Sequence, residues 1–218
     1  TPAALAAAAT AGIERGVAVD REAATRAADR VADRRVATLS RSGTVRETLD
    51  RADPDAVLVA ESRPGAEGIA VAEALAAAGL ETALASDAAL PSELDRWGAD
   101  AVLVGADALL PDGHVVNKVG TFAAAAAAAH EGTDLLVVAA TDKVEPTVTS
   151  PGAVDRAEGA TGPLYEGEAV LEVRNPTFDV TPPDLVDAVV TETGVLQPAA
   201  LEEVAAAHRD RAAWRRSE

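Results

Sequence analysis

Asp107 closes an apolar run, AVLVG, and ten residues later Asn117 and Lys118 stand immediately before a helix-like stretch, TFAAAAAAAHE, built almost wholly of alanine. A carboxylate at the end of a strand can accept hydrogen bonds from sugar hydroxyls or shuttle a proton, although such an aspartate also serves as a turn residue. A lysine supplies a compact charge for a phosphate or a hydroxyl. Lys118 draws attention because it and Lys143 are the only lysines in a chain with 19 basic residues. A second group is SRSGT: Ser40, Arg41, Ser42 and Gly43 followed by Thr44. It offers hydroxyls, a guanidinium and a glycine at a helix start, where backbone N–H groups and the helix dipole favour an anion. Ordinary helix capping uses the same residue types. Arg63, before Pro64, has two readings: a phosphate contact, or a partner for Glu61 or Glu67. Together these residues point to recognition of a small phosphorylated polyol. His114, His130 and His208 are scattered without metal-ligand spacing and read as surface residues, so neither a metal nor a cofactor is expected.

These side chains must be positioned by the elements around them. Residues 1–34 are rich in helix formers with no strand-like run and predict two helices. From residue 36 onward, short apolar runs (VATL, AVLVA, ETALA, AVLVG, DLLVVAA, LVDAVVTE) alternate with helical stretches. That alternation predicts an α/β fold: a Rossmann-like parallel sheet with helices on both faces, over residues 36–218, preceded by a helical segment over residues 1–35. Helices are expected over residues 64–78, closing on Gly79, and 121–131, closing on Gly132. The alanine stretch has two readings, close packing against a neighbour or a compositional default. Residues 144–168, dominated by Pro, Gly, Thr and Glu, read as a long excursion. Beyond it, Pro182 and Pro183 are placed to start a short helical turn and Pro198 to begin the last helix. There is no internal repeat. In an open parallel sheet, ligands bind outside the carboxyl ends of the strands, and the polar groups SRSGT, ESRPG, Ser86-Asp87, Asp107 and Thr141-Asp142-Lys143 all follow predicted strands.

Composition narrows the classes further. The chain of 218 residues has 36 acidic residues and a net charge of −17, which predicts adaptation to high salt, since mutual repulsion is then screened. Such a surface repels phosphate backbones, so no direct nucleic-acid partner is expected. No apolar run approaches the ~20 residues of a membrane span and the opening lacks the pattern of a signal peptide, so a cytoplasmic protein without membrane contact is expected. Cysteine is absent, excluding disulfides, thiolate ligands and cysteine nucleophiles. Methionine is absent even at position 1, from which we expect a longer reading frame.

Over residues 36–198 the chain resembles the family that unites the α, β and δ subunits of translation initiation factor 2B with methylthioribose-1-phosphate isomerase and archaeal ribose-1,5-bisphosphate isomerase. ESRPGAEG is similar to the family's glutamate-x-arginine-proline segment, GAD and DGHVVNKVGT to its Gly-Ala-Asp and Asn-Lys-(Ile/Val)-Gly-Thr motifs, and NPTFDVTPPDLVDAVVTETGVLQP to its carboxyl-terminal signature. The resemblance implies that Asp107 stands where the isomerases have their catalytic aspartate, Asn117 and Lys118 where they bind substrate, and Ser40 where they have a catalytic cysteine. A serine hydroxyl has neither the acidity nor the nucleophilicity of a thiol near neutral pH. The expectation is therefore an archaeal initiation factor 2B subunit-like protein that binds a sugar phosphate or nucleoside monophosphate without catalysis, and associates with itself or with related subunits. The alternative is an aldose–ketose isomerase acting on ribose 1,5-bisphosphate or a related sugar phosphate.

Overall fold

The computed structural model describes residues 1–148, 150–160 and 164–212. Its first element is a helix, α1 (Pro2–Val31). Then β1 (Arg35–Leu39), α2 (Gly43–Ala52), β2 (Ala56–Ala60), α3 (Glu67–Ala77), β3 (Thr82–Ala85), α4 (Leu90–Trp97) and β4 (Ala101–Val104) alternate regularly. There follow β5 (Ala108–Leu109), β6 (Val115–Lys118), α5 (Thr121–Glu131), β7 (Asp134–Val138), β8 (Phe178–Thr181), β9 (Ala188–Thr191), β10 (Gly194–Leu196) and α6 (Leu201–Ala212).

Seven strands form the main sheet in the order β10-β9-β7-β4-β1-β2-β3. All neighbours in it are parallel except the hairpin β9–β10. Because successive side chains of a strand point to opposite faces, each buried strand feeds two cores. Val36, Val57, Val59, Leu103, Leu136 and Val138 pack with Val31, Leu49 and Leu75 from α1, α2 and α3. Leu39, Leu58, Val102, Val104, Leu135 and Val137 pack with Leu94, Ala124, Ala128 and Leu201 from α4, α5 and α6. The expected doubly covered α/β sheet is the fold. Chain order runs outward from β1 towards β3 on one side and from β4 towards β9 on the other, so the direction of winding reverses between β1 and β4, which leaves a crevice at their carboxyl ends.

Several expectations are corrected. Residues 1–34 hold one helix, not two: the glycines within α1, Gly12 and Gly16, cost only about 1 kcal/mol each against alanine, and α1 is anchored by Ala23, Ala24, Ala27, Ala28 and Val31, all buried. The helix expected from residue 64 begins at Glu67, because residues 63–66 form a turn, and Gly79 lies just beyond it with φ 95°. Helix α5 has the expected bounds and closes on Gly132 with φ 73°. Its alanines serve close packing, since Ala124, Ala125 and Ala128 have no exposed surface and let α5 approach α4, β4 and β7. A 3₁₀ turn occupies Pro183–Leu185, and another at Pro198–Ala200 leads into α6. The excursion over residues 144–168 contains a 3₁₀ turn at Pro151–Ala153, with residues 149 and 161–163 outside the description, as are the last six residues of the chain. The sequence reading missed a second sheet, β5-β6-β8, whose strands are two to four residues long and antiparallel. No described helix is long and apolar enough to cross a membrane.

Candidate active site

A cavity of about 560 Å³ opens over the carboxyl ends of β1 and β4. Its floor begins with Ser40, the residue after β1, whose left-handed backbone (φ 62°) turns the chain sharply out of the sheet. A serine in this region costs on the order of 1 kcal/mol or more, and persists only where its surroundings hold it. The Ser40 N–H donates to Ser62 Oγ at 2.6 Å, and Ser62 and Arg63 donate their own N–H groups to the Asp87 carboxylate at 2.7 and 2.6 Å. The loops after β1, β2 and β3 are thereby tied together. Ser42 caps α2, its Oγ accepting the Val45 N–H at 3.3 Å, and brings the amino terminus of α2, with Gly43 in the lead, to the cavity wall. Gly105, just past β4, leaves room for this cap: a Cβ there would lie 2.8 Å from Ser42 Oγ and force Ser42 to shift.

Asp107 faces Ser40 and Ser42 across this crevice from the loop after β4. Its backbone N–H is fixed to the Val116 carbonyl at 2.9 Å, while its carboxylate makes no hydrogen bond or ion pair among the described residues. The surrounding protein desolvates that carboxyl and pushes its pKa up, against the opposing charges of Lys143 and Lys118. Asn117 and Lys118 end β6, which the ladder to β8 carries to the same rim. Asn117 Nδ2 donates to Thr121 Oγ1 at 2.9 Å, and Thr121 Oγ1 donates to the Lys118 carbonyl at 2.7 Å, so this pair locks the turn into α5. The Asp179 carboxylate on β8 accepts the Gly120 and Phe122 N–H groups at 2.8 and 3.0 Å. The amino terminus of α5 is thus already occupied by a protein carboxyl group, whose pKa burial raises against the two N–H bonds.

Seven of the eight residues predicted for the site, Ser40, Arg41, Ser42, Gly43, Asp107, Asn117 and Lys118, line this one cavity. Arg63 does not. It stands outside, its Nε 2.9 Å from Glu61 Oε2, because the turn after β2 folds the two side chains onto each other. Four charged residues of the lining lie outside that predicted set. Lys143 lies in a 3₁₀ turn after β7, and the rarity of lysine was a signal pointing to it. Glu67 holds Lys118 Nζ at 2.7 Å. Asp20 and Glu47 reach the cavity from α1 and α2. Burial raises the Asp20 pKa, with Lys143 opposing and the carboxylates of Asp142, Glu192 and Glu47 adding to the rise. Nothing in local sequence marks Asp20 or Glu47 for the site, and Glu67 stands out there only as a candidate partner of Arg63. Of the histidines, His130 is exposed as expected, but His114 and His208 are partly covered, with Nδ1 3.0 Å from Asp112 Oδ1 and 3.2 Å from the Val144 carbonyl, respectively.

Relatives share both the sequence and this fold. A ribose 1,5-bisphosphate isomerase from Haloferax volcanii is 38% identical over 146 residues, 65% of this chain and 45% of that protein. A methylthioribose-1-phosphate isomerase from Stutzerimonas stutzeri is 38% identical over 147 residues, 65% of this chain and 41% of that one. The crystal structure of translation initiation factor eIF-2B from Pyrococcus horikoshii superposes with a TM-score of 0.78 at 34% identity, covering 85% of this chain and 66% of that one. The chain thus spans less than half the length of the two curated relatives, both sugar-phosphate isomerases. The family profile itself matches residues 1–198, and the chain belongs to the initiation factor 2 subunit family.

Proposed function

We propose that the cavity binds a phosphorylated sugar and that the protein is an aldose–ketose isomerase acting on ribose 1,5-bisphosphate or a related sugar phosphate. The observation that carries this reading is Asp107: a carboxyl with a raised pKa, free of protein hydrogen bonds among the described residues, set between two lysines in a crevice at the switch of strand order. Because C1 of ribose 1,5-bisphosphate carries a phosphate and no free carbonyl, isomerisation must break the C1–O4 ring bond, leave a proton on O4, carry a hydrogen from C2 to C1 and turn the C2 hydroxyl into the ketone, with the phosphate kept on C1. Asp107 is suited to pass the proton given up by the C2 hydroxyl to O4, because desolvation makes its carboxylate more basic. Lys143 stabilises the negative charge that develops on the sugar oxygens. The leading N–H groups of α2, which have no partner within the helix, and Arg41 receive the phosphate. Ser40 donates a hydrogen bond and does not titrate near neutral pH.

The test is to follow ketose formation from ribose 1,5-bisphosphate and methylthioribose 1-phosphate by NMR, with the wild type beside Asp107→Asn. Turnover that disappears in the variant supports the isomerase. Ser40 favours a second reading, a binding subunit with the same pocket. Tight binding of a sugar phosphate with no turnover, and turnover gained on Ser40→Cys, would establish that reading and remove the first.

A further inference from the structure

Lys118 does not stand open in the cavity. Its side chain is only 14% exposed, and its Nζ sits 2.7 Å from Glu67 Oε1. Screening by solvent is weak there, so the pair presents no net charge to a ligand. The carboxylate reaches this place by folding back over Gly65: a Cβ at residue 65 would lie 2.6 Å from Glu67 Oε2, so the arrangement depends on the missing side chain. Burial by itself would raise the Glu67 pKa, but the hydrogen bond from Lys118, that from its own backbone N–H, and the charges of Lys118 and Arg41 outweigh it and lower the value. Glu67 is therefore ionised at neutral pH. Its other oxygen, Oε2, is buried without a hydrogen-bond partner among the described residues. Arg41, which lines the same cavity, makes no hydrogen bond or ion pair among the described residues.

We infer that Glu67 is a specificity-determining residue: it withdraws Lys118 from phosphate recognition and makes the Glu67–Lys118 pair a reader of ligand hydroxyls, leaving the anionic group to Arg41 and the start of α2. This rests on the reading of the cavity as a sugar-phosphate site. The pair offers a donor beside an unfilled acceptor. A sugar hydroxyl satisfies both, donating to Glu67 Oε2 while accepting from Lys118 Nζ. A phosphate oxygen in the same position would accept from Lys118 but face a carboxylate with no proton to share, and like charges brought together at a desolvated site repel. Glu67 therefore selects polyol phosphates over inorganic phosphate, and orients the hydroxyl-bearing carbons towards Asp107, which lines the same cavity.

The experiment is calorimetric titration of the protein, at fixed pH and molar potassium chloride, with ribose 5-phosphate and with inorganic phosphate. The wild type is expected to prefer ribose 5-phosphate. Glu67→Gln keeps the shape and removes the charge, and should bind inorganic phosphate about tenfold more tightly while its preference for the sugar phosphate shrinks. Glu67→Ala is the second variant and should change in the same direction. Arg41→Ala should weaken both probes. Inorganic phosphate affinities within about twofold of wild type for both Glu67 variants, with sugar phosphate still bound, would overturn the role of Glu67 and leave the sugar-phosphate reading standing. No binding of either probe by wild type or any variant would bring down that reading and the inference with it.

Discussion

Replacing Gly68 by alanine should damage this fold more than any ordinary glycine substitution. Gly68 is in the first turn of α3, where the helix crosses the end of β2, and its N–H donates to the Glu61 carbonyl at 3.2 Å. A Cβ there would fall 1.8 Å from the Ala60 carbonyl oxygen and 2.9 Å from its carbon. Carbon and oxygen approach no closer than about 3.3 Å, so α3 must retreat by about 1.5 Å. The obstacle is backbone in a fully buried strand and cannot swing aside as a side chain would. Overpacking of this kind costs about 1–3 kcal/mol, and losing the hydrogen bond to Glu61 adds about 0.5–1.5 kcal/mol. The higher helix propensity of alanine returns about 1 kcal/mol at most. With a rigid obstacle the upper part of the range applies, and the expected net loss is about 2–4 kcal/mol. Equilibrium unfolding in urea at constant high salt, followed by far-ultraviolet circular dichroism, measures it, with an unchanged slope showing that the unfolded state is the same. Gly16→Ala is the control: nothing lies within 4 Å of a Cβ there, and a gain of about 0.5–1 kcal/mol is expected. A loss below about 1 kcal/mol for Gly68→Ala would refute the close approach of α3 to β2 on which the placement of Glu67 depends.

Three further outcomes follow from the same structure. Because the Asp107 pKa is raised above its ordinary 3.8 in the fold, the folded state holds a proton that the unfolded chain has released, and stability falls as pH rises from 3.8 through the folded value. Asp107→Asn should therefore be more stable than wild type at pH 7, with the advantage vanishing below that window in thermal melts; a less stable variant at pH 7 would contradict the desolvation argument. Asp179→Ala, which leaves the Gly120 and Phe122 N–H groups without their shared carboxylate, should cost about 1–3 kcal/mol in urea unfolding, and no change would show that the cap is idle. With a net charge of −17, the melting temperature should climb from dilute buffer to molar potassium chloride as the Debye length shrinks from about 10 Å or more to about 3 Å; a flat or falling trend would count against adaptation to salt.

Much of this architecture is carried by short-range pattern. AVLVA and AVLVG are strands because their apolar residues fill both faces of a covered parallel sheet, and α5 ends at Gly132 because a left-handed cap suits glycine. Once strands and helices alternate, the polar residues after each strand share one edge, which is why the sequence alone groups Ser40 with Asp107, whereas Lys118 reaches that edge on the second sheet. Partnerships between side chains are decided elsewhere. Lys118 and Glu67 are 51 residues apart and meet only because the β6–β8 ladder and the crossing of α3 over β2 bring their ends together. Arg63 had phosphate, Glu61 and Glu67 within its range of readings, and the turn geometry chose Glu61. Asp20 arrives on α1, which contacts of Ala23, Ala27 and Val31 hold against the sheet, and these have no counterpart in its own neighbourhood of sequence. The residue types and the edge on which they gather are written in local periodicity, while the charge each one presents to a ligand depends on register and helix approach, which only the packed chain defines.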